Sequence, residues 1–175
     1  MIERESPERA GIVISHPQTY FAGVTTIDSM PEPSDPYDLQ RFVEAQDPVI
    51  DTVKQELRSG RKRSHWMWYI FPQVEGLSSS RKGQLYAISS REEAEAYLAH
   101  PILGPRLREC TTLVNEIEGR SAHAIFGSPD DMKFRSSMTL FAAVAADATP
   151  FQTALDTYYD GEPDEHTRQF LADGH

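Results

Sequence analysis

Lys62, His65, Trp68 and Gln73 belong to a thirteen-residue run, Arg61-Lys62-Arg63-Ser64-His65-Trp66-Met67-Trp68-Tyr69-Ile70-Phe71-Pro72-Gln73, which holds three cations, an imidazole and four aromatic rings. An amphipathic segment normally buries one face and wets the other. Crowding polarity and aromatic bulk together suits a pocket wall instead. His65 is the candidate for acid–base work, because a neutral imidazole can accept a proton or bind a hydroxyl. Its plainer role is to cap the preceding turn or to hydrogen-bond within the core. If the segment is helical, His65, Trp68 and Tyr69 lie near one face and Trp66 and Ile70 near another. One aromatic set then enters the core, while Trp68 and Tyr69 can stack on a ligand ring or a cation.

A second cluster, Gly127-Ser128-Pro129-Asp130-Asp131-Met132-Lys133-Phe134-Arg135-Ser136-Ser137-Met138-Thr139, leads a glycine-containing turn into a helix. Free N–H groups at such a helix start can bind an anion, but Asp130 and Asp131 already complement the positive end of the dipole. Lys133, Arg135 and Ser136 follow, with Ser137 and Thr139, and could hold a carboxylate or phosphate. A solvated helix face has a similar composition. The candidate ligand-binding residues are therefore Lys62, Ser64, Trp68, Tyr69, Gln73, Lys133, Arg135 and Ser136, with His65 as the catalytic candidate.

Phosphate-loop, dinucleotide, nucleophile-elbow and zinc-protease motifs are all missing. The six histidines, at 16, 65, 100, 123, 166 and 175, lack the close spacing of a metal site, so no metal or cofactor is indicated. Cys110 is the single cysteine and lies on an apolar stripe, which excludes an intramolecular disulfide and reads as a small buried hydrophobe. Glu92, Glu93 and Glu95 read as a solvated helix face.

The formal charge of −10 is carried by the ends: residues 1–34 hold five acids and two bases, residues 147–175 seven acids and one base, and the middle is nearly neutral. Such a chain is a poor ligand for the nucleic-acid backbone, although Arg61-Lys62-Arg63 could attract one anionic group. No apolar run is long enough to span a bilayer and the start resembles no signal peptide, so a cytoplasmic protein without membrane association is expected. At 175 residues, 39% hydrophobic and 25% charged, it is sized for about one domain.

The elements that must position these residues read as helix after helix from residue 35 onward. Asp47-Pro48, Ser128-Pro129 and Thr149-Pro150 each place a capping side chain before a proline, and Ser90 with Glu93 forms a capping box. Gly60, Gly119, Gly127 and Gly161 stand where helices should stop. Apolar stripes recur at Ile50/Val53/Leu57, Leu107/Cys110/Val114/Ile117, Phe134/Met138/Phe141/Ala145 and Phe151/Leu155/Tyr158. Helices are expected near 36–46, 48–59, 65–71, 79–88, 91–99, 102–118, 121–126, 129–146, 150–160 and 163–172. The fold class is all-α: a single compact domain of eight to ten short helices in an irregular array, spanning 35–175. Residues 1–34 read as a poorly structured extension, with a short strand at 11–14 as the alternative.

Asp35-Pro36-Tyr37-Asp38-Leu39-Gln40-Arg41-Phe42, the Lys62-to-Gln73 run, Tyr97-Leu98 with His100-Pro101 and Leu103-Gly104, Ile125 to Asp131, and Ser136-Ser137-Met138-Thr139-Leu140-Phe141 resemble domain-of-unknown-function family 1810. Its bacterial members often carry the label calpastatin, which suits a disordered inhibitor rather than a chain with these stripes and caps. The resemblance covers about residues 35–172 and implies a mainly helical domain. It supplies no activity, cofactor or catalytic residue. Two functions remain in view: a small-molecule-binding or enzymatic domain with an anionic, phosphate- or nucleotide-containing ligand between 61–73 and 127–139, or a noncatalytic protein-interaction module using the aromatic segment or the acidic C-terminal region. Neither the reaction nor the oligomeric state can be read from the residues.

Overall fold

The computed structural model describes residues 34–175. The extension expected at 1–34, apart from Ser34, and the strand considered at 11–14 lie outside the described residues. Ten helices follow in order: α1 Gln40–Gln46, α2 Ile50–Arg58, α3 Met67–Ile70, α4 Arg81–Leu85, α5 Arg91–Ala99, α6 Leu103–Asn115, α7 Ala122–Phe126, α8 Asp130–Val144, α9 Thr149–Tyr159 and α10 Glu165–Ala172. Extended pairing among the described residues is limited to one isolated parallel bridge, Val74 with Ile88. None of these helices is long and apolar enough to cross a membrane.

The apolar stripes explain how the array closes. α8 packs against α5, α7, α9 and α10, while α6 packs against α2, α5 and α9. Phe134, Met138 and Phe141 of α8 are completely buried, as are Cys110 and Val114 of α6 and Phe151 of α9. Each large apolar side chain removed from water contributes about 1.5–3 kcal/mol. Burial pushes the Cys110 thiol up to about 12, so it stays a protonated core group.

Local chemistry sets the helix ends. Ser80, Ser90, Ser121 and Asp164 each accept a backbone N–H in the first turn of the helix they precede. α1 starts at Gln40 rather than 36, because the Asp35 carboxylate accepts from the amides of Leu39 and Gln40 and holds the chain in a turn before them. His100 caps α6: its Nδ1 accepts from the amides of Ile102 and Leu103 at 3.1 and 3.2 Å. Gly104 has no room for a side chain there, since a Cβ would lie 2.1 Å from the Leu98 carbonyl oxygen. At the expected stop Gly127, φ is +72°, a conformation glycine takes without steric cost.

Several expectations need correction. The helix expected at 65–71 is only the single turn Met67–Ile70, since His65 and Trp66 belong to a turn held from α2 and Pro72 ends the segment. The helix expected at 79–88 stops at Leu85, and Ile88 instead pairs with the 73–75 strand-like segment, its amide donating to the Gln73 carbonyl at 2.9 Å. Asp47 does not cap α2; its carboxylate takes Arg106 at 2.9 Å, and α2 begins at Ile50. Ser128 does not cap α8, because Pro129 is the N-cap residue and no side chain there accepts a first-turn amide. Glu93 is not solvated. It is 2% exposed, pairs with Arg41 at 2.7 Å and accepts from the amide and hydroxyl of Ser89.

Candidate functional site

The 61–73 and 127–139 segments meet. The Lys62 amide donates to the Ile125 carbonyl at 2.8 Å, just before Gly127, and the Phe71 ring meets Phe134 edge-on at 4.9 Å. Between them runs a chain of three charges: Lys62 Nζ lies 2.8 Å from Asp130 Oδ2, and Lys133 Nζ lies 3.4 Å from Asp130 Oδ1. Lys62 is nearly buried, its side chain 7% exposed. It therefore acts as a brace between segments rather than as a free arm.

The turn that carries Lys62 is organised by Glu56, at the end of α2. Its carboxylate accepts from the Arg63 and Ser64 amides, from the Ser64 hydroxyl and from Trp66 Nε1 at 2.8 Å. Burial alone would raise the Glu56 pKa, but these hydrogen bonds together hold it below the usual carboxylate value. Trp66 is consequently 1% exposed and Ile70 2%, while Trp68 and Tyr69 are partly exposed and His65 is exposed. Burial thus divides these side chains as the spacing predicts, although His65 and Trp66 lie in the turn before α3.

Trp68 sits where the segments open. Lys82 Nζ of α4 lies 5.0 Å from its ring centroid and Lys133 Nζ of α8 lies 5.3 Å from it. At these distances the ring quadrupole attracts both ammoniums. The arms of 5.0 and 5.3 Å bound the separation of the two cations at 10.3 Å. Beside this pair is a cleft of about 410 Å³ whose lining includes Gln73, the serines at 78–80, Lys133, Ser136 and Asp164. A crevice of about 10 Å³, walled by Met67, Trp68, Phe71, Gln73, Gly83, Tyr86 and Lys133, shares Gln73 and Lys133 with the cleft.

The serine loop reaches this position because α4 presses against it. A Cβ on Gly83 would fall 2.0 Å from Ser78 Oγ, so only glycine lets the two approach. Ser78 and Ser80 hydroxyls are 3.0 Å apart, and Ser80 caps α4. Arg41 secures the other end, donating from Nε to the Leu85 carbonyl and from Nη2 to the Ala87 carbonyl and Glu93.

Of the residues singled out in the sequence, Trp68, Gln73, Lys133 and Ser136 come together here, with Lys62 behind them through Asp130. The other four point elsewhere. His65 lines neither the cleft nor the crevice, and its carbonyl accepts from Tyr69 Oη at 3.4 Å. The Tyr69 ring packs on Tyr86 at 5.3 Å. Ser64 serves Glu56. Arg135 donates to the Glu162 carbonyl at 2.9 Å and lies over the Tyr159 ring, because it is two positions from Lys133 on α8, whereas Ser136 is three. The serines at 78–80 and Lys82 escape a sequence reading, since nothing in their spacing ties the expected 79–88 helix to the aromatic run. Among the described residues, no group of three or more His, Cys, Asp and Glu side chains is placed to hold a metal ion.

A family model described as protein of unknown function (DUF1810) matches residues 36–171. The crystal structure of the conserved hypothetical protein Rv1873 from Mycobacterium tuberculosis is similar, with 56% identity, a TM-score of 0.78, and coverage of 79% of this chain and 99% of that one. None of the curated proteins matches.

Proposed function

The chain belongs to the family described as protein of unknown function DUF1810, a membership that assigns no reaction, and we propose from the cleft itself that the domain binds a small anionic, phosphate-bearing molecule between its 61–73 and 127–139 segments. The observation that carries this reading is the pair of ammoniums, Lys82 and Lys133, gathered around one indole beside a hydroxyl-rich cleft. Asp130 is shared by two lysines, and Asp164 Oδ2 is occupied by the amide and hydroxyl of Thr167. Lys82 and Lys133 thus stand together at one ring while the nearby carboxylates are engaged, in a chain whose formal charge is −10. A local excess of cations in an acidic protein attracts a compact anion over a short range without favouring a polyanion.

The charge belongs to Lys133 and Lys82, the hydroxyls to the serine loop and the apolar floor to Trp68, while the Ser136 hydroxyl is spent on the Met132 carbonyl. At least one face of Trp68 carries a lysine, so its role is to hold cations more than to stack a base. His65 takes no part.

Thermal-shift and calorimetric titrations with inorganic phosphate, pyrophosphate, a nucleoside triphosphate and citrate test this reading. A phosphate-bearing ligand should raise the melting temperature by mass action. Lys133→Ala should weaken it by about 10- to 100-fold, the worth of a charge-assisted hydrogen bond, and His65→Ala should leave it unchanged. Binding indifferent to both Lys133→Ala and Lys82→Ala would remove the site from consideration.

A further inference from the structure

Three buried side-chain atoms among the described residues have no hydrogen-bond partner: Trp68 Nε1, Asn115 Oδ1 and Ser137 Oγ. Asn115 and Ser137 line neither the cleft nor the crevice; Trp68 lines the crevice. An indole N–H is a donor only, and a buried donor without an acceptor destabilises the fold that holds it. The crevice has room for about one water-sized group. Around it, Lys133 offers donors alone and Gln73 can turn its amide NH₂ inward, while Met67, Phe71 and Tyr86 supply apolar walls.

We propose that this crevice is an oxygen subsite: the Trp68 indole N–H and Lys133 together take a single oxygen of a phosphoryl group, whose other oxygens face the serine loop in the adjoining cleft. The inference rests on the reading that the cleft takes an oxyanion, and it adds the donor and the shape of the head group. A tetrahedral group can place one oxygen in a crevice this small and still present the others to separate donors. A planar carboxylate has one oxygen left after filling it. Trp68 is then a ligand-binding residue through its nitrogen as well as its ring.

The test is an indole N–H titration by proton–nitrogen NMR on the full chain, which has two tryptophans. Inorganic phosphate is added, with acetate at matched ionic strength as the carboxylate arm. The Trp68 signal should move downfield saturably with phosphate, while the Trp66 signal, already bonded to Glu56, should stay in place. Trp68→Phe, which keeps an aromatic face for the lysines, should lower phosphate affinity by about 5- to 30-fold in calorimetry. Lys133-dependent phosphate binding that leaves the Trp68 signal still and survives Trp68→Phe unchanged would overturn the subsite and leave the cleft reading standing. Acetate moving the Trp68 signal as far as phosphate would overturn the preference for a phosphoryl group. Phosphate binding that is absent, or indifferent to Lys133→Ala, would overturn both.

Discussion

Trp66 and Trp68 are separated by one residue, yet the surroundings of the two indoles are opposite. Trp66 is enclosed, its nitrogen donates to a carboxylate brought from α2, and its neighbours are the core. Trp68 sits at the edge of a cleft with two ammoniums near its ring and no acceptor for its nitrogen. The first arrangement is complete without any other molecule. The second leaves an indole donor without an acceptor beside two ammoniums, which suits an acceptor-rich partner. The same residue type therefore supports the fold at one position and, in the reading proposed above, a ligand at the other.

The sharpest way to break this contrast is at Glu56. Glu56→Ala leaves two amides and a buried indole N–H without their acceptor, and should cost about 3 kcal/mol in chemical denaturation. A cost below about 1 kcal/mol would mean that the turn does not depend on it. Acid tests the same group. A carboxyl whose folded pKa is depressed contributes stability that is present above its unfolded pKa and is lost as pH falls through its folded value. The wild-type melting temperature should therefore fall more steeply than that of Glu56→Gln as pH is lowered below about 4.5, the unperturbed carboxyl value.

Lys62→Ala comes next, at about 2 kcal/mol. That is less than the loss expected when a wholly buried ion is left alone, because Asp130 keeps Lys133. Since Asp130 would then hold Lys133 more tightly, phosphate affinity should also drop. Stability lost with affinity unchanged would separate the brace from the cleft.

The smallest stability effects belong to Trp68. Trp66→Phe removes a bonded indole from the core and should cost about 2 kcal/mol, whereas Trp68→Phe deletes an unpartnered donor and should change stability by less than about 0.5 kcal/mol. Equal costs at the two positions, measured by urea unfolding, would erase the distinction on which the functional reading stands.

Much of the architecture was legible because it is periodic or local. The stripes on α2, α6, α8 and α9, the Ser90 cap and the Gly127 stop are read within a few residues of chain, and so is the division of Trp66 and Ile70 from His65, Trp68 and Tyr69. The missed features join residues far apart in sequence. Arg41 and Glu93 are separated by 52 positions, and the local capping box with Ser90 does not announce that the Glu93 carboxylate is buried against so distant a cation. Glu56 reads as the polar side of an amphipathic helix until the following turn folds back on it. Lys82 is hidden for a similar reason, since its partner ring lies fourteen residues earlier and is reached only once α4 packs beside α3. Helical spacing already turns Arg135 away from Lys133 and Ser136.

Single-tryptophan fluorescence addresses the central contrast most directly. Trp66→Phe leaves Trp68 as the sole emitter, Trp68→Phe leaves Trp66, and both are titrated with pyrophosphate under conditions where each is folded. Emission from Trp68 should change saturably, an effect abolished by adding Lys133→Ala, and emission from Trp66 should not change. A silent Trp68 in a protein that still binds pyrophosphate, or a response from Trp66 alone, would contradict it.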